Sequence, residues 1–171
     1  FAPRDAVPDI DTDRPNILRM RTFSKAHGLA GLRVGYALGE AAVIKAFDKI
    51  RNHFGANKVA QAAALASLAD TDWLLGVIDK VERSRARLGE IAKDNGLVAL
   101  PSATNFVTID CGRDGSFAKA VLEALVAQDV FVRMPFAAPG NRCIRISCGT
   151  DADMARVERA LPQALTVAEN V

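Results

Sequence analysis

The spacing of hydrophobic and polar positions predicts two strands near the start of the chain. Residues 16–22 alternate apolar with polar side chains, which is typical of a strand with one buried face. The short apolar segment 33–38 is predicted to be a second strand, and the proline- and aspartate-rich residues 1–15 indicate irregular loop. Because two strands do not form a stable sheet alone, we expect them to belong to a larger sheet whose other strands precede Phe1.

Helical spacing dominates the next part of the chain, residues 40–95. Residues 40–50 carry apolar side chains at helical spacing, and residues 59–68 are rich in alanine, the strongest helix former. A long amphipathic helix is predicted to begin at Thr71 or Asp72 as its N-cap and to end before Gly96. A loop over residues 51–57 separates the first two of these helices.

From residue 97 the pattern predicts a compact α+β unit. The predicted order of elements is strand 97–100, strand 105–110, helix 116–128, strand 130–133, strand 143–147 and a last helix that Asp151 caps and that runs to about residue 167.

Composition excludes several classes of protein without changing this picture. Half of the 171 residues are hydrophobic and a quarter are charged, and the net charge is +2, as in a soluble globular protein. No apolar run approaches the about 18 residues of a membrane span, and no basic block predicts nucleic-acid binding. The three cysteines, Cys111, Cys143 and Cys148, lack a CxxC spacing and favour reduced thiols in a cytoplasmic protein over disulfides or a metal site.

The candidate chemistry lies in residues 21–36, Arg-Thr-Phe-Ser-Lys-Ala-His-Gly-Leu-Ala-Gly-Leu-Arg-Val-Gly-Tyr. A lysine used covalently needs burial or nearby cations that favour the neutral amine, and we expect both at Lys25. The hydroxyls of Thr22 and Ser24 and the guanidinium of Arg33 are groups that hold a phosphate. Together they suggest a lysine that forms a Schiff base to pyridoxal phosphate. The same residues also allow a solvated surface lysine beside glycines that only shape a turn.

Three blocks of sequence resemble one family. The segment Thr-Phe-Ser-Lys-Ala-His-Gly-Leu-Ala-Gly-Leu-Arg-Val-Gly-Tyr is similar to the cofactor-lysine segment of class I/II, fold-type I aminotransferases, above all the histidinol-phosphate aminotransferase branch. Residues 101–106, Pro-Ser-Ala-Thr-Asn-Phe, and residues 143–150, Cys-Ile-Arg-Ile-Ser-Cys-Gly-Thr, resemble two later blocks of that branch. With three blocks in the right order, the chain is identified as a member of this family.

The resemblance implies a role for each matching residue. Lys25 would link the cofactor and then move a proton, and Thr22, Ser24 and Arg33 would contact the cofactor phosphate. Arg145 would pair with the substrate α-carboxylate, since its neighbours in the strand should point to the opposite, buried face. Arg133 would add a second positive contact or be purely structural.

Two histidines complete the sequence predictions for the site. The resemblance places His53 in a segment that reaches the partner's active site in a dimer, but a histidine that is packed or solvated without a catalytic role is the preferred interpretation. His27 replaces a more common aromatic residue and is interpreted as a packing variant, not as a base.

The family implies an α/β fold, the pyridoxal-phosphate transferase fold type I. In this fold residues 1–39 would be the remnant of the large cofactor-binding domain, 40–95 interdomain helices and 96–171 a C-terminal small α+β domain. The chain resembles the C-terminal half of such an enzyme, and we expect the residues around the pyridine ring to lie before Phe1.

The implied activity is that of a cytoplasmic, homodimeric transaminase of amino-acid biosynthesis, here histidine biosynthesis. It would move an amino group from an amino acid or amino-alcohol phosphate to 2-oxoglutarate, with histidinol phosphate as the first expected donor and an aromatic amino acid as the second. The alternatives are a decarboxylase or lyase resembling threonine-phosphate decarboxylase, and an inert fragment of the parent enzyme.

Overall fold

A computed structural model describes residues 1–2 and 6–170 and divides the chain into two compact units. The N-terminal unit is Ala2–Ile78, and the C-terminal unit begins at Asp79. Pro3 and Asp5 of the predicted first loop lie outside the described residues. The helices and strands are β1 Arg19–Thr22, β2 Gly35–Leu38, α1 Ala41–Ala46, α2 Lys58–Ala69, α3 Thr71–Asp94, β3 Val98–Ala99, β4 Phe106–Asp110, α4 Gly115–Val126, β5 Cys143–Ser147 and α5 Asp151–Glu169.

In the N-terminal unit the two predicted strands form an antiparallel hairpin. Strands β1 and β2 pair with Thr22 opposite Gly35, and the N–H of Phe23 donates to the carbonyl oxygen of Val34 at 3.3 Å, which extends the ladder. Gly35 is required at this point, because a Cβ atom there would lie 2.6 Å from the carbonyl oxygen of Arg21. The connection between the strands is therefore the loop of residues 24–33.

The helices of this unit follow the predicted order. Helix α1 continues into the 3₁₀ turn Phe47–Lys49. Asn57 is the N-cap of helix α2. Its side-chain oxygen accepts the N–H of Ala60 at 2.8 Å and satisfies a free donor of the first turn. Ala60 and Ala64 are buried, so α2 packs through small side chains.

Helix α3 has the predicted length but a different N-cap. Thr71 and Asp72 were the expected caps, whereas the carboxylate of Asp70 accepts the N–H of Trp73 at 3.1 Å. Thr71 and Asp72 are already helical and cannot cap. At the other end Gly96 has φ +70°, and Leu97 N–H donates to Ala92 O at 2.9 Å, which is the glycine-terminated end that the sequence predicts.

The C-terminal unit contains a three-stranded antiparallel sheet in the order β3-β4-β5. Thr108 of β4 lies opposite Arg145 of β5. Ile144 and Ile146 are buried while Arg145 between them is partly exposed, which confirms the predicted alternation of the strand.

The predicted strand 130–133 is wrong in extent. Only Arg133 pairs with β5, through an isolated bridge to Arg145. Pro135, two residues on, has no N–H to donate to the ladder, so the pairing cannot continue in that direction.

Helices α4 and α5 complete the C-terminal unit. Asp114 caps α4 by accepting the N–H of Phe117 at 3.0 Å. Asp151 was the expected cap of α5, but Thr150 holds that position: its hydroxyl accepts the N–H of Asp153, and the Asp153 carboxylate accepts the N–H of Thr150. This reciprocal capping box leaves Asp151 as the first helical residue.

The core of this unit joins α3, α4, α5 and the inner face of the sheet. Its fully buried large side chains are Leu88, Ile91, Val121, Leu125, Ile109, Ile144 and Leu161. Of the helices that the structure describes, not one combines the length and apolar character needed to cross a bilayer.

Candidate active site

The loop that carries Lys25 is held by the buried side chain and the backbone of Phe23. The Phe23 ring is 3% exposed. Its N–H donates to Val34, and its carbonyl oxygen accepts the N–H of Leu29 at 2.9 Å. Lys25 therefore lies two residues beyond a point that is fixed both by packing and by hydrogen bonds.

A tight turn presents Lys25 at the surface of the N-terminal unit. The N–H of Gly28 donates to the carbonyl oxygen of Lys25 at 2.9 Å, and Gly28 has φ +69°, which favours glycine. The hydroxyl of Thr22 accepts the N–H of Ser24 at 3.1 Å. The Lys25 side chain is exposed. The expected burial of Lys25 is thus not found among the described residues.

Arg33 closes the same loop from its other end. It adopts a left-handed backbone, φ 52°, and one guanidinium nitrogen donates to the carbonyl oxygen of Ala30 at 2.7 Å. A guanidinium has five N–H donors, so this bond leaves donors for an anion. Ser24 and Arg33 are the first and last residues of the loop that the Phe23–Val34 bond closes. The structure thereby brings Thr22, Ser24, Lys25 and Arg33 to one end of the hairpin.

His27 contacts two neighbours within the N-terminal unit. Its Nδ1 lies 2.7 Å from the hydroxyl oxygen of Ser67 in α2. Its ring is tilted against that of Phe23, with the centroids 4.9 Å apart. These are the contacts of a packing residue, in line with the sequence interpretation. His53, by contrast, is exposed in its loop and packs edge-on against Phe54, with the ring centroids 5.4 Å apart.

Arg133 and Arg145 lie side by side in the C-terminal unit. Their backbones exchange two hydrogen bonds, Arg133 N to Arg145 O at 3.0 Å and Arg145 N to Arg133 O at 2.6 Å. Directly paired residues of antiparallel strands project to the same side of a sheet. Both arginines line one cavity of about 990 Å³, which is also lined by Phe131, Met134, Phe136 and Lys119.

Phe106 is a site residue that sequence reasoning missed. The guanidinium carbon of Arg145 lies 4.6 Å from the centre of the Phe106 ring, a cation–π contact that orients the arginine. Ser102 donates a hydrogen bond to the carbonyl oxygen of Phe106 at 2.6 Å, and Arg85 donates to that of Thr104 at 3.0 Å. The sequence signals were its place at the end of the block of residues 101–106 and its position two residues before Thr108 on one strand face.

In the part of the chain that the structure describes, the predicted site cations have no acidic partner. Among residues 1–2 and 6–170, no carboxylate oxygen lies within 4.0 Å of the charged nitrogens of Lys25, Arg33, Arg133 or Arg145. Other arginines are paired, such as Arg142 with Asp110 at 2.8 Å. Unpaired cations are available to anionic ligands, so each unit offers a positive site.

The cysteines are not nucleophiles of this site. Cys111 and Cys143 are buried, and burial raises the pKa of the Cys111 thiol to about 11. Burial also raises the pKa of Cys143 and Cys148. In the part of the chain that the structure describes, no group of three His, Cys, Asp or Glu side chains is placed to hold a metal ion.

Comparison with known proteins relates this site to a family. The family model for aminotransferase class I and II matches residues 2–161. The chain is 40% identical over 156 residues to histidinol-phosphate aminotransferase 2 of Ralstonia nicotianae, covering 91% of the chain and 41% of that protein. It is 43% identical over 141 residues to the aromatic amino acid aminotransferase of Rhodococcus jostii, covering 82% of the chain and 37% of that protein.

A solved structure agrees with these relatives. The crystal structure of histidinol-phosphate aminotransferase from Sinorhizobium meliloti in complex with pyridoxal-5'-phosphate superposes with a TM-score of 0.93 at 54% identity. The match covers 96% of this chain and 46% of that protein. The chain thus spans less than half the length of the relatives that it matches.

Proposed function

Because the chain belongs to the aminotransferase class I and II family and has its α/β fold, fold type I, we propose that the protein is a pyridoxal-phosphate-dependent transaminase whose cofactor lysine is Lys25. The observation that carries the proposal is the hairpin loop of residues 24–33. It exposes one lysine next to a backbone that is fixed at Phe23, and the same end of the hairpin carries Thr22, Ser24 and Arg33, whose donors suit a phosphate. The known fold supports the same assignment.

The residues at this loop fit a phosphorylated aldehyde. The hydroxyls of Thr22 and Ser24 and the guanidinium of Arg33 are donors that suit a phosphate, and the absence of a nearby carboxylate in the described residues leaves the positive charge of Arg33 uncompensated. When bound, the cofactor draws electrons away from the substrate Cα and carries the amino group. The Lys25 amine would be the base that takes the proton from the substrate Cα and delivers it to the C4′ carbon of the cofactor.

The arginine pair of the C-terminal unit suits an anionic substrate. We assign Arg145 to the α-carboxylate, because its planar fork can donate two parallel hydrogen bonds to a carboxylate. Arg133, whose side chain leaves the same side of the sheet, supplies a second positive contact. The cation–π contact with Phe106 restricts the rotamers of Arg145 before substrate arrives.

Histidinol phosphate is the first proposed donor and an aromatic amino acid is the second. The relative named as a histidinol-phosphate aminotransferase is 40% identical to this chain, and the relative named as an aromatic amino acid aminotransferase is 43% identical. Histidinol phosphate has no carboxylate, but a pair of guanidiniums can bind its phosphate dianion as well as the α-carboxylate of an amino acid. The proposed acceptor, 2-oxoglutarate, brings two carboxylates to the same positive surface.

The remaining assignments concern the whole protein. We propose a cytoplasmic homodimer, which the family fold and the free cysteines support. Residues 1–39 would belong to the large domain, 40–95 would be interdomain helices and 96–171 the small domain. The enzyme would act in histidine biosynthesis, as the name of the Ralstonia relative suggests.

The decisive experiment is a cofactor titration of the full-length protein. Pyridoxal phosphate is added to the apo-protein, and the visible absorption of the lysine-linked cofactor is recorded. Lys25→Ala should remove this band, whereas Lys45→Ala, a control on helix α1, should keep it. A band that survives Lys25→Ala would contradict the proposal.

A donor screen then tests the reaction. Histidinol phosphate, phenylalanine and aspartate are compared at matched concentration with 2-oxoglutarate as acceptor. The proposal expects one oxo product and one glutamate for each donor consumed. Release of carbon dioxide without an oxo product would instead favour a decarboxylase on the same fold.

A further inference from the structure

We propose that His27 is a positioning residue for Lys25, and that it acts through its contact with Ser67. This inference rests on the proposed function, since it assigns a task to a side chain in the cofactor-lysine loop. His27 does not touch the cofactor or the substrate in this proposal. It fixes the turn on which Lys25 stands.

His27 belongs to the turn on which Lys25 stands. Residues 25–28 form a turn closed by the bond from Gly28 N–H to the Lys25 carbonyl oxygen at 2.9 Å. His27 lies inside this turn, so any rotation of its backbone also rotates the peptide groups next to Lys25. Among the residues that the structure describes, the contact of the His27 imidazole with Ser67 is the side-chain hydrogen bond that ties this turn to helix α2.

The His27 imidazole makes two contacts of different kinds. One face of the half-buried ring packs against Phe23, with 4.9 Å between the centroids. The Nδ1 atom meets the Ser67 hydroxyl at 2.7 Å. An apolar aromatic ring would supply only the first contact, and an amide side chain only the second. Histidine combines a flat ring with a directional hydrogen bond.

Ser67, which His27 contacts, lies on a fixed face of helix α2. Ser67 lies on helix α2 three residues after Ala64 and seven after Ala60, so the three share one helix face. Both alanines are buried, which fixes this face. Ser67 is therefore a hydroxyl on a fixed surface, 40 residues away in sequence from the turn that it holds.

The test measures cofactor binding by full-length variants in which each contact is removed separately. His27→Phe keeps the ring and loses the hydrogen bond, Ser67→Ala loses the partner, and His27→Asn keeps a hydrogen-bonding atom near the position of Nδ1. Gln61→Ala is the matched control, because Gln61 is on the same helix but bonds the carbonyl oxygen of Ala56.

We expect His27→Phe and Ser67→Ala each to raise the dissociation constant of pyridoxal phosphate by about two- to tenfold, the range of one neutral hydrogen bond. The double variant should be no worse than either single variant, because both remove the same bond. His27→Asn should recover part of the loss, and Gln61→Ala should bind as the wild type. The unfolding midpoint of each apo-variant is measured alongside, and it should remain close to that of the wild type.

The outcomes separate this inference from the proposed function. Wild-type binding by His27→Phe or Ser67→Ala, or additive losses in the double variant, would overturn the inference alone. A loss of binding that tracks a fall in the apo unfolding midpoint would overturn it as well, since the role would then be general stability. If the wild-type protein gives no lysine-linked band, the proposed function and the inference both fail.

Discussion

Arg133 and Arg145 form a direct antiparallel pair, in which each backbone N–H donates to the other residue's carbonyl oxygen at 3.0 and 2.6 Å. The pair fixes the starting points of two guanidiniums that have no carboxylate partner among the described residues. Two neighbouring cations repel each other, so the arrangement is most stable when an anion lies between them. The consequences of this and three other features can be measured.

Removing Arg145 should damage substrate use without removing the cofactor. In the full-length protein Arg145→Ala should lower kcat/KM about 10- to 100-fold, which corresponds to the loss of one charged hydrogen-bonded contact. Arg145→Lys should recover only part of this, because an ammonium cannot form the two parallel bonds of the fork. Arg83→Ala, which removes an exposed arginine paired with Asp79, is the control. Equal losses in Arg83→Ala and Arg145→Ala would contradict the assignment.

A side chain at Gly35 should open the hairpin that carries Lys25. The new Cβ atom would lie 2.6 Å from the carbonyl oxygen of Arg21, so Gly35→Ala must shift the strands apart. We expect it to cost about 1–3 kcal/mol in the free energy of unfolding. Gly89→Ala is the matched control: a Cβ there meets nothing within 4 Å inside helix α3, and it should gain about 0.5–1 kcal/mol. Urea denaturation of both variants measures the difference.

Asp110 should make the chain less stable in acid. The N–H of Gly112 and the guanidinium of Arg142 hold the pKa of this carboxyl below its usual range. A depressed folded-state pKa contributes stability that is fully present above the unfolded value of about 3.9 and is lost as pH falls through the folded value. Asp110→Asn should therefore flatten the acid limb of the unfolding free energy measured against pH. The control is Asp9→Asn, which removes an exposed carboxylate that bonds neither Gly112 nor Arg142.

Cys111 should resist alkylation in the folded chain. Its thiol is buried, and its pKa is raised to about 11, so very little thiolate exists at pH 8. Iodoacetamide should label Cys111 and Cys143 only after unfolding in guanidinium chloride, as mass spectrometry of the peptides can show. Labelling of Cys111 in the native chain at the rate of the unfolded chain would contradict the described packing.

Elements with a local signal could be predicted from the sequence. The strand Cys143–Ser147, with Ile144 and Ile146 on its buried face, and the glycine end of α3 at Gly96 depend on neighbouring residues only, and both predictions are confirmed. The capping residues Asp70 and Thr150 lie just before the residues that were predicted as caps. Several adjacent polar side chains can accept the same N–H, and only backbone geometry decides between them.

Features that depend on distant residues could not be predicted. Residues 130–133 have strand-like composition, yet pairing needs a partner with free donors, and it stops at Pro135. The contact of Arg145 with Phe106 joins strands 39 positions apart in sequence, and that of His27 with Ser67 joins a loop to a helix. Motif spacing identified Lys25 and Arg33 as candidates and the family resemblance added Arg145, but neither could indicate which neutral residues hold them.

Because Arg133 and Arg145 are bridged through their backbones, the loop between them can be replaced by other loop sequences. Residues 134–142 leave the sheet after Arg133 and return to it at Cys143, the first residue of β5, so the bridge holds the two ends of this segment close together. Loop length changes closure entropy only slowly. A designer could therefore graft segments of different length and side-chain size into residues 136–140 to alter donor preference, while the distance between the two guanidinium attachment points stays constant.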